Sequence, residues 1–425
     1  MRRFSGVSRF PIGFWNYMTM KEWDERALAD WEACAFSTIQ SPAYSLDEED
    51  RNKLAVLLAW CEKQNVKVIL RDPRVSILWI RDLPRDEKGD RSLPYDYERG
   101  VVEAVAEFAH HPQVAGFFII DEPERDLHEA VVQAVGIVKT HAAHLLPFVN
   151  FFPAIPQTEA LLGYRDYGRY LEDYVQRTGA KLVSYDYYGQ MTEREYENPL
   201  YYTNLSHYRN LALRGIDFWN TILSTPHFRY RKPSYDDVRW QVNTSLAYGA
   251  KGIFYFTFYT PDNTFNSETN YRQGPIDWWG ERTDTFFHMR DVNRELHQRW
   301  GNLFMDLQLL RVGHYPEAPA DGGQLLDFGG AIKEIAVEAG HDPHLIVSEF
   351  RHRISGQPYA FIVNANPRDS VNVQVYMQDV RQLQRFNAYG EAYVVNNQAK
   401  FVDEFSSLLW LAPGQGELMA LERVE

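Results

Sequence analysis

The chain is short of cysteine, with two in 425 residues, Cys34 and Cys61. Two thiols make neither a disulfide framework nor a metal signature, and both are expected to be buried in core elements. Long apolar runs are missing as well. No window reaches the roughly 18 apolar residues a spanning helix needs, which excludes membrane insertion of that kind. The opening MRRFSGVSRF is basic but has no apolar run behind it, so it does not read as an intact signal peptide. As it stands the sequence reads as cytoplasmic, or as secreted or periplasmic if a signal has been removed. Positive charge is in deficit: 44 Lys and Arg face 58 Asp and Glu, a formal net charge of -14. That balance argues against nucleic acid or an anionic membrane as partner. Oligomeric state is left open.

Aromatic residues are abundant, at 15% of the chain. They supply either a large core or a cleft lined with flat faces for sugar rings. With 45% hydrophobic and 24% charged residues, the composition is that of a globular protein, long enough for one large domain and a smaller one.

The stretch 114–125, VAGFFIIDEPER, organises the rest. Its apolar run is too short for a buried helix and right for a strand covered on both faces. It ends in Asp121-Glu122-Pro123-Glu124. Carboxylates are costly inside a buried strand, so they belong where the strand emerges, and Pro123 cannot continue the ladder. The spacing predicts further strands over 10–16, 33–39, 66–71, 146–152, 181–187, 216–223 and 251–258. Helical segments are predicted at 20–31, 47–64, 96–110, 127–143, 164–178, 200–214, 234–248 and 283–300. Thr19/Glu22 and Ser45/Glu48 have capping-box spacing, and Gly179, Gly215 and Gly249 sit where helices stop. Eight strands alternating with eight helices is the count of a (β/α)8 TIM barrel. A doubly wound sheet competes, but Asn16-Tyr17-Met18 is no glycine-rich phosphate turn. After about residue 303 short alternating runs (345–351, 359–363, 371–377, 417–421) punctuated by Gly, Pro and Asn predict a small antiparallel β-sandwich. The stretch 317–330 reads as a loop or linker. The expected organisation is a barrel over 1–302 and a sandwich over 303–425.

In a barrel, function collects at the carboxyl ends of the strands. The residues predicted there are Trp15, Asn16 and Tyr17, then Gln40, Ser41 and Tyr44, then Arg71 and Asp72. Strands four to six add Asp121, Glu122, Asn150, Tyr185, Asp186 and Tyr187. Strands seven and eight add Trp219, Asn220 and Tyr259, followed by a loop carrying Asp262, Glu268, Trp278 and Trp279. Strand one has no HxH pair for a metal, and glycine-rich phosphate loops are absent, so no metal and no cofactor is expected. Carboxylates, amides and flat aromatics together suit glycosidic-bond cleavage, in which one carboxylic acid protonates the leaving oxygen and a second carboxylate stabilises or attacks the sugar carbon.

GFFIIDEPE resembles the strand-four ending of the TIM-barrel glycoside hydrolases, where the general acid/base glutamate sits. Two branches of that superfamily are similar in part. In the β-galactosidase and cellulase clan, strand four ends in Asn-Glu and strand seven in a nucleophilic glutamate. Here Asp121 replaces the asparagine, and IDFWNTILSTPH has no glutamate, although LLWLAPGQGELMAL is similar to the last strands of that clan's small sandwich. In the chitinase and hexosaminidase clan, LVSYDYYGQ resembles the strand-six element through Tyr185, Asp186 and Tyr187. Asp121-Glu122 resembles the hexosaminidase pair, whose aspartate orients an acetamido group and whose glutamate is the acid. The spaced DxxDxDxE of chitinases is absent.

The expected catalytic set is therefore Glu122 as general acid/base, Asp186 as second carboxylate, and Asp121 orienting substrate or Glu122. Tyr185 and Tyr187 are candidates for steadying charge at the anomeric centre. Trp15, Trp219, Trp278 and Trp279 are candidate sugar platforms, and Asn16, Arg71, Asn150, Asn220 and Tyr259 complete the candidate substrate-binding set. Each has a plainer alternative. Glu122 could pair with Arg125, Asp186 could serve a structural hydrogen bond, and the tryptophans could be core. The activity expected is hydrolysis of an oligo- or polysaccharide. The missing strand-seven glutamate keeps a non-catalytic carbohydrate-binding barrel as the alternative, and a lyase or isomerase using Arg71 as a third.

Overall fold

The computed structural model describes residues 9–192, 200–263, 267–338, 340, 343–398 and 404–424. Eight strands form one sheet: β1 Ile12–Phe14, β2 Thr38–Gln40, β3 Lys67–Leu70, β4 Val114–Asp121, β5 Leu146–Phe151, β6 Leu182–Asp186, β7 Asp217–Leu223 and β8 Ile253–Phe256. Their order is β1-β8-β7-β6-β5-β4-β3-β2, and the registered pairs are parallel. The Ser37 amide donates to the Ile12 carbonyl at 2.9 Å, and the Ile12 amide donates to the Ser37 hydroxyl at 2.9 Å, which brings β1 back to β2. The result is a nearly closed (β/α)8 barrel. Its interior is filled by Trp15, Ile69, Phe118, Leu146, Phe148, Leu182, Trp219 and Phe254, a packed core and not a pore.

The helices are α1 Arg26–Ala33, α2 Glu48–Gln64, α3 Tyr97–Phe108, α4 His128–His141, α5 Thr158–Leu162, α6 Tyr167–Thr178, α7 Tyr201–Leu213, α8 Tyr235–Ala247, α9 Asp284–Leu296 and α10 Asn302–Asp306. Two predicted starts move. Thr19 does bond Glu22, but the chain only turns there, and α1 begins at Arg26. Because α1 runs on to Ala33, and Ala35 takes a left-handed φ of 57°, β2 starts five residues later than predicted. At α2 the cap is Asp47, not Ser45: the Asp47 carboxylate accepts the Asp50 amide at 2.9 Å. Gly179 closes α6 with φ 62°, as its position suggested.

Among the described residues nine antiparallel strands follow: β9 Leu307–Tyr315, β10 Ile332–Val337, β11 Leu345–His352, β12 Pro358–Asn364, β13 Val371–Gln378, β14 Val380–Phe386, β15 Ala392–Val395, β16 Glu404–Leu411 and β17 Gly416–Arg423. They make a three-stranded sheet, β10-β13-β16, and a six-stranded sheet, β15-β14-β17-β12-β11-β9. Ile332, Val373, Val375 and Leu409 from the first share one core with Val347, Ile362 and Met419 from the second, which defines a sandwich. The stretch 317–330 is the connection from β9 to β10.

By packing, the chain divides into two compact units, one of residues 1–187, 219–221 and 252–283, the other of 188–218, 222–251 and 284–425. Within the second, α8 is tied to the strands that follow it: Trp240 Nε1 donates to the Ala365 carbonyl at 2.7 Å, and the Ser348 hydroxyl donates to the Ala247 carbonyl at 2.7 Å. The acids at the end of β4 lie in the first. Among the described residues no helix is long and apolar enough to cross a membrane. Cys34 and Cys61 are buried and not disulfide-bonded, and burial pushes the Cys61 thiol up.

Candidate active site

Three adjacent strands place the acids. Asp121 of β4 is in register with Asn150 of β5, and Asn150 with Ser184 of β6; Asp186 lies two residues on, on the same face as Ser184. The Asn150 amide nitrogen donates to Asp121 Oδ1 at 3.1 Å and to Asp186 Oδ1 at 2.7 Å, while its oxygen accepts from the Ser184 hydroxyl at 2.9 Å. Every polar atom of the buried Asn150 side chain is thereby engaged. It is a fixed spacer between two carboxylates.

Glu122 is held by its backbone. It takes a left-handed φ of 42°, a strained conformation for a residue with a side chain. Its amide donates to the Asn150 carbonyl at 2.7 Å, and its carbonyl accepts from the Arg81 guanidinium at 2.7 Å. Arg81 also bonds the Asp121 carbonyl. The β4–β5 register slips by one residue between Phe118 and Ile120, a bulge just before the acids that re-aims the side chains beyond it. Among the described residues the Glu122 carboxyl makes no ion pair, and Arg125 does not reach it.

Asp121, Glu122 and Asp186 all keep partial access to solvent. Burial raises Glu122 well above the ordinary carboxylate range, and the charges of Asp186 and then Asp121 raise it further against the pull of Arg81. Asp121 is pushed up to about 6 by burial, against the Asn150 hydrogen bond and the charges of Arg81 and Arg71. Arg71 lies over the Phe118 ring at 5.7 Å and donates to the Asn16 carbonyl, so its charge sits within the influence of Asp121 and Tyr17. The hydroxyls of Tyr17 and Tyr271 are hydrogen-bonded, and both phenols are raised by burial first and also by Asp121. The Tyr17 ring meets Phe256 edge-on at 5.9 Å. Among the described residues no group of three or more His, Cys, Asp or Glu is placed to hold a metal ion.

The structure thus brings together Asp121, Glu122, Asn150, Asp186 and Arg71 of the predicted set. Most other members are buried. Trp15 and Trp219 are core: Trp15 packs edge-on to Phe118 at 5.7 Å, and Trp219 stacks on Phe254 at 5.3 Å. Asn16 is fully buried and spends its side chain on the Gln40 carbonyl and the Met18 amide. Tyr185, Tyr187 and Asn220 are buried. Tyr259 accepts from Trp31 Nε1 at 2.7 Å and packs on Phe14. Trp278 and Trp279 are the exposed pair, at 48% and 78%, on the loop after β8. Tyr44 and Arg74 both bond Asp72, a buried structural cluster. Three contributors had no strong signal. Arg81 sits in the long β3–α3 loop, Tyr271 in the loop after β8, and Phe256 looks like any core aromatic.

No family model matches the chain, and no curated protein matches it. Among solved structures it is similar to the β-galactosidase of the psychrophilic Marinomonas ef1, with 16% identity over 67% of this chain and 59% of that one, at a TM-score of 0.50. It is also similar to the β-galactosidase of the haloarchaeon Halorubrum lacusprofundi (12% identity, 68% and 58% coverage, TM-score 0.46) and to xylanase 10B of Thermotoga maritima (10%, 68% and 96%, 0.46). The chain spans less than two thirds of the length of either β-galactosidase. The likeness to the Marinomonas protein shows a shared fold, the TIM barrel.

Proposed function

We propose that the protein is a glycoside hydrolase in which Glu122 protonates the leaving glycosidic oxygen. The observation that carries this reading is the setting of Glu122: partly buried at the end of β4, beside Asp121 and Asp186 and free of any ion pair among the described residues, so that burial and then its two acidic neighbours raise it. A carboxyl so placed holds its proton to higher pH than an ordinary glutamate, as a general acid needs to. Asp186 is the second carboxylate. Asn150 fixes it beside Asp121, and its charge acts on Glu122 directly. Asp121 orients the substrate, as the aspartate of an Asp-Glu pair does when it positions an acetamido group. Arg71 and Tyr17 are placed to contact sugar hydroxyls, and exposed Trp278 and Trp279 offer stacking faces. The carbohydrate is an oligo- or polysaccharide, and the neighbours' own names, β-galactosidase and xylanase, are in keeping with it.

One observation favours the second reading, a carbohydrate-binding barrel without turnover. Strand β7 is Asp217–Leu223 and carries no glutamate, so the nucleophile of the β-galactosidase and cellulase clan is missing from its place. A panel of aryl glycosides and polysaccharides, assayed with the wild type and with Glu122→Gln, separates the two. Turnover by the wild type that the variant loses supports the hydrolase; binding by both with turnover by neither supports the binding protein.

A further inference from the structure

The opposite end of the barrel holds a cavity. Its volume is about 110 Å³, and it is lined by Thr38, Lys67, His110, His111, His144 and Trp219, among others. Thr38 and Lys67 open strands β2 and β3, the histidine pair follows α3, and His144 precedes β5, so this is the amino-terminal face. No aspartate or glutamate lines it. In a chain of net charge -14, a cavity whose titratable lining is all Lys and His, set among apolar Ala109, Pro112, Val114, Ala115 and Leu146, is not a by-product of composition.

Two groups in it are short of partners. Lys67 is 6% exposed, yet its ammonium meets no carboxylate among the described residues and donates only to the Pro112 carbonyl. Burial draws its pKa down. Thr38 is 1% exposed, and its hydroxyl has no hydrogen-bond partner among the described residues. A buried cation and a buried hydroxyl left unmatched each carry a desolvation cost that a bound ligand removes. The Gln113 amide donates to His111 Nδ1 at 3.3 Å, which puts the proton of the neutral ring on Nε2 and makes that atom a donor. Burial, His110 and Lys67 all lower His111, and Glu62 of α2 acts in the opposite sense. The cavity therefore offers donors and positive charge. A volume of about 110 Å³ accommodates one small oxyanion.

We propose that this cavity binds a small tetrahedral oxyanion of the phosphate or sulfate class, held by Lys67, Thr38 and the surrounding imidazoles. The site is independent of the acids at the other end of the barrel. Thermal unfolding and calorimetric titration of the full chain with inorganic phosphate, at fixed pH and with chloride holding ionic strength constant, test it. The wild type is expected to bind one phosphate and to unfold at higher temperature as phosphate rises, with sulfate acting likewise. Lys67→Met is expected to bind about tenfold more weakly or worse, as loss of one charge-assisted hydrogen bond implies. Glu122→Gln should respond as the wild type does. Should Lys67→Met fail to fold, the double variant His110→Gln/His144→Gln, changed only at exposed positions, carries the same expectation of weakened binding. No phosphate effect on the wild type, or an equal effect on the wild type and on the cavity variants, overturns the proposal.

Discussion

At the scale of single residues, the account turns on a carboxyl kept protonated by its surroundings. A carboxylate whose pKa is raised by folding binds its proton more tightly in the native state. Its contribution to stability is therefore complete at pH values below the unfolded pKa and is lost as pH rises through the folded one. Glu122→Gln, which cannot ionise, should accordingly raise the unfolding temperature at pH 8 and leave it nearly unchanged at pH 4, as differential scanning calorimetry would show. A gain that is the same at both pH values would mean that the charge of Glu122 is not what costs stability. The Asp186 charge raises Glu122, so Asp186→Asn should lower the Glu122 pKa in a carbon-detected NMR titration. The acids themselves were legible in the sequence, because paired carboxylates at the end of an apolar run have few other places to be. Their support was less so. Asn150 could be named as a candidate but not as the spacer between two acids, and Arg81 and Tyr271 lie in loops whose path no local pattern dictates. Trp15 and Trp219 show the reverse error: a strand residue near the rim and one filling the interior have the same sequence texture.

At the scale of elements, β4 is the piece the sequence defined most sharply, matching Val114–Asp121 at both ends. The other barrel strands came out short of their predicted spans, because apolar residues continue into flanking turns that the ladder does not include. In the sandwich, β9, β10, β14 and β15 escaped notice. Of these, β10, β14 and β15 are thinly buried, β15 with no buried residue at all, and charged residues such as those of Val380–Phe386 dilute the alternation. The barrel makes its own demand on β4. A Cβ at Gly116 would lie 1.9 Å from the Leu146 carbonyl oxygen, a backbone atom that cannot step aside without moving β5. Gly116→Ala is expected to destabilise the protein by on the order of 1–3 kcal/mol, read from chemical denaturation. It should also lower activity, because β4 and β5 together position Asp121 and Asn150. A variant as stable as the wild type would show that the two strands have slack there.

At the scale of the whole molecule, charge sets which carbohydrates approach easily. A net charge of -14, with three acids at the candidate site, repels polyanionic chains and is neutral toward uncharged ones. Turnover of a uronic acid polymer, if it occurs, should therefore rise as salt increases toward about 0.15 M, whereas turnover of a neutral glycan should stay flat. Initial rates at several ionic strengths decide this, and the same salt response for both would remove net charge as a factor. The fold was legible at this scale because eight strand-helix alternations leave few alternatives. Function is carried by the site and not by the barrel, which hosts many chemistries.

The central claim, that Glu122 delivers a proton to the departing oxygen, is tested most directly by comparing Glu122→Gln with the wild type across glycosides of graded leaving-group acidity. A lost general acid should cost about 10²–10⁴-fold with a poor leaving group, and progressively less with a phenol that departs without help. A loss of the same size for every leaving group, or none at all, would contradict the role assigned to Glu122.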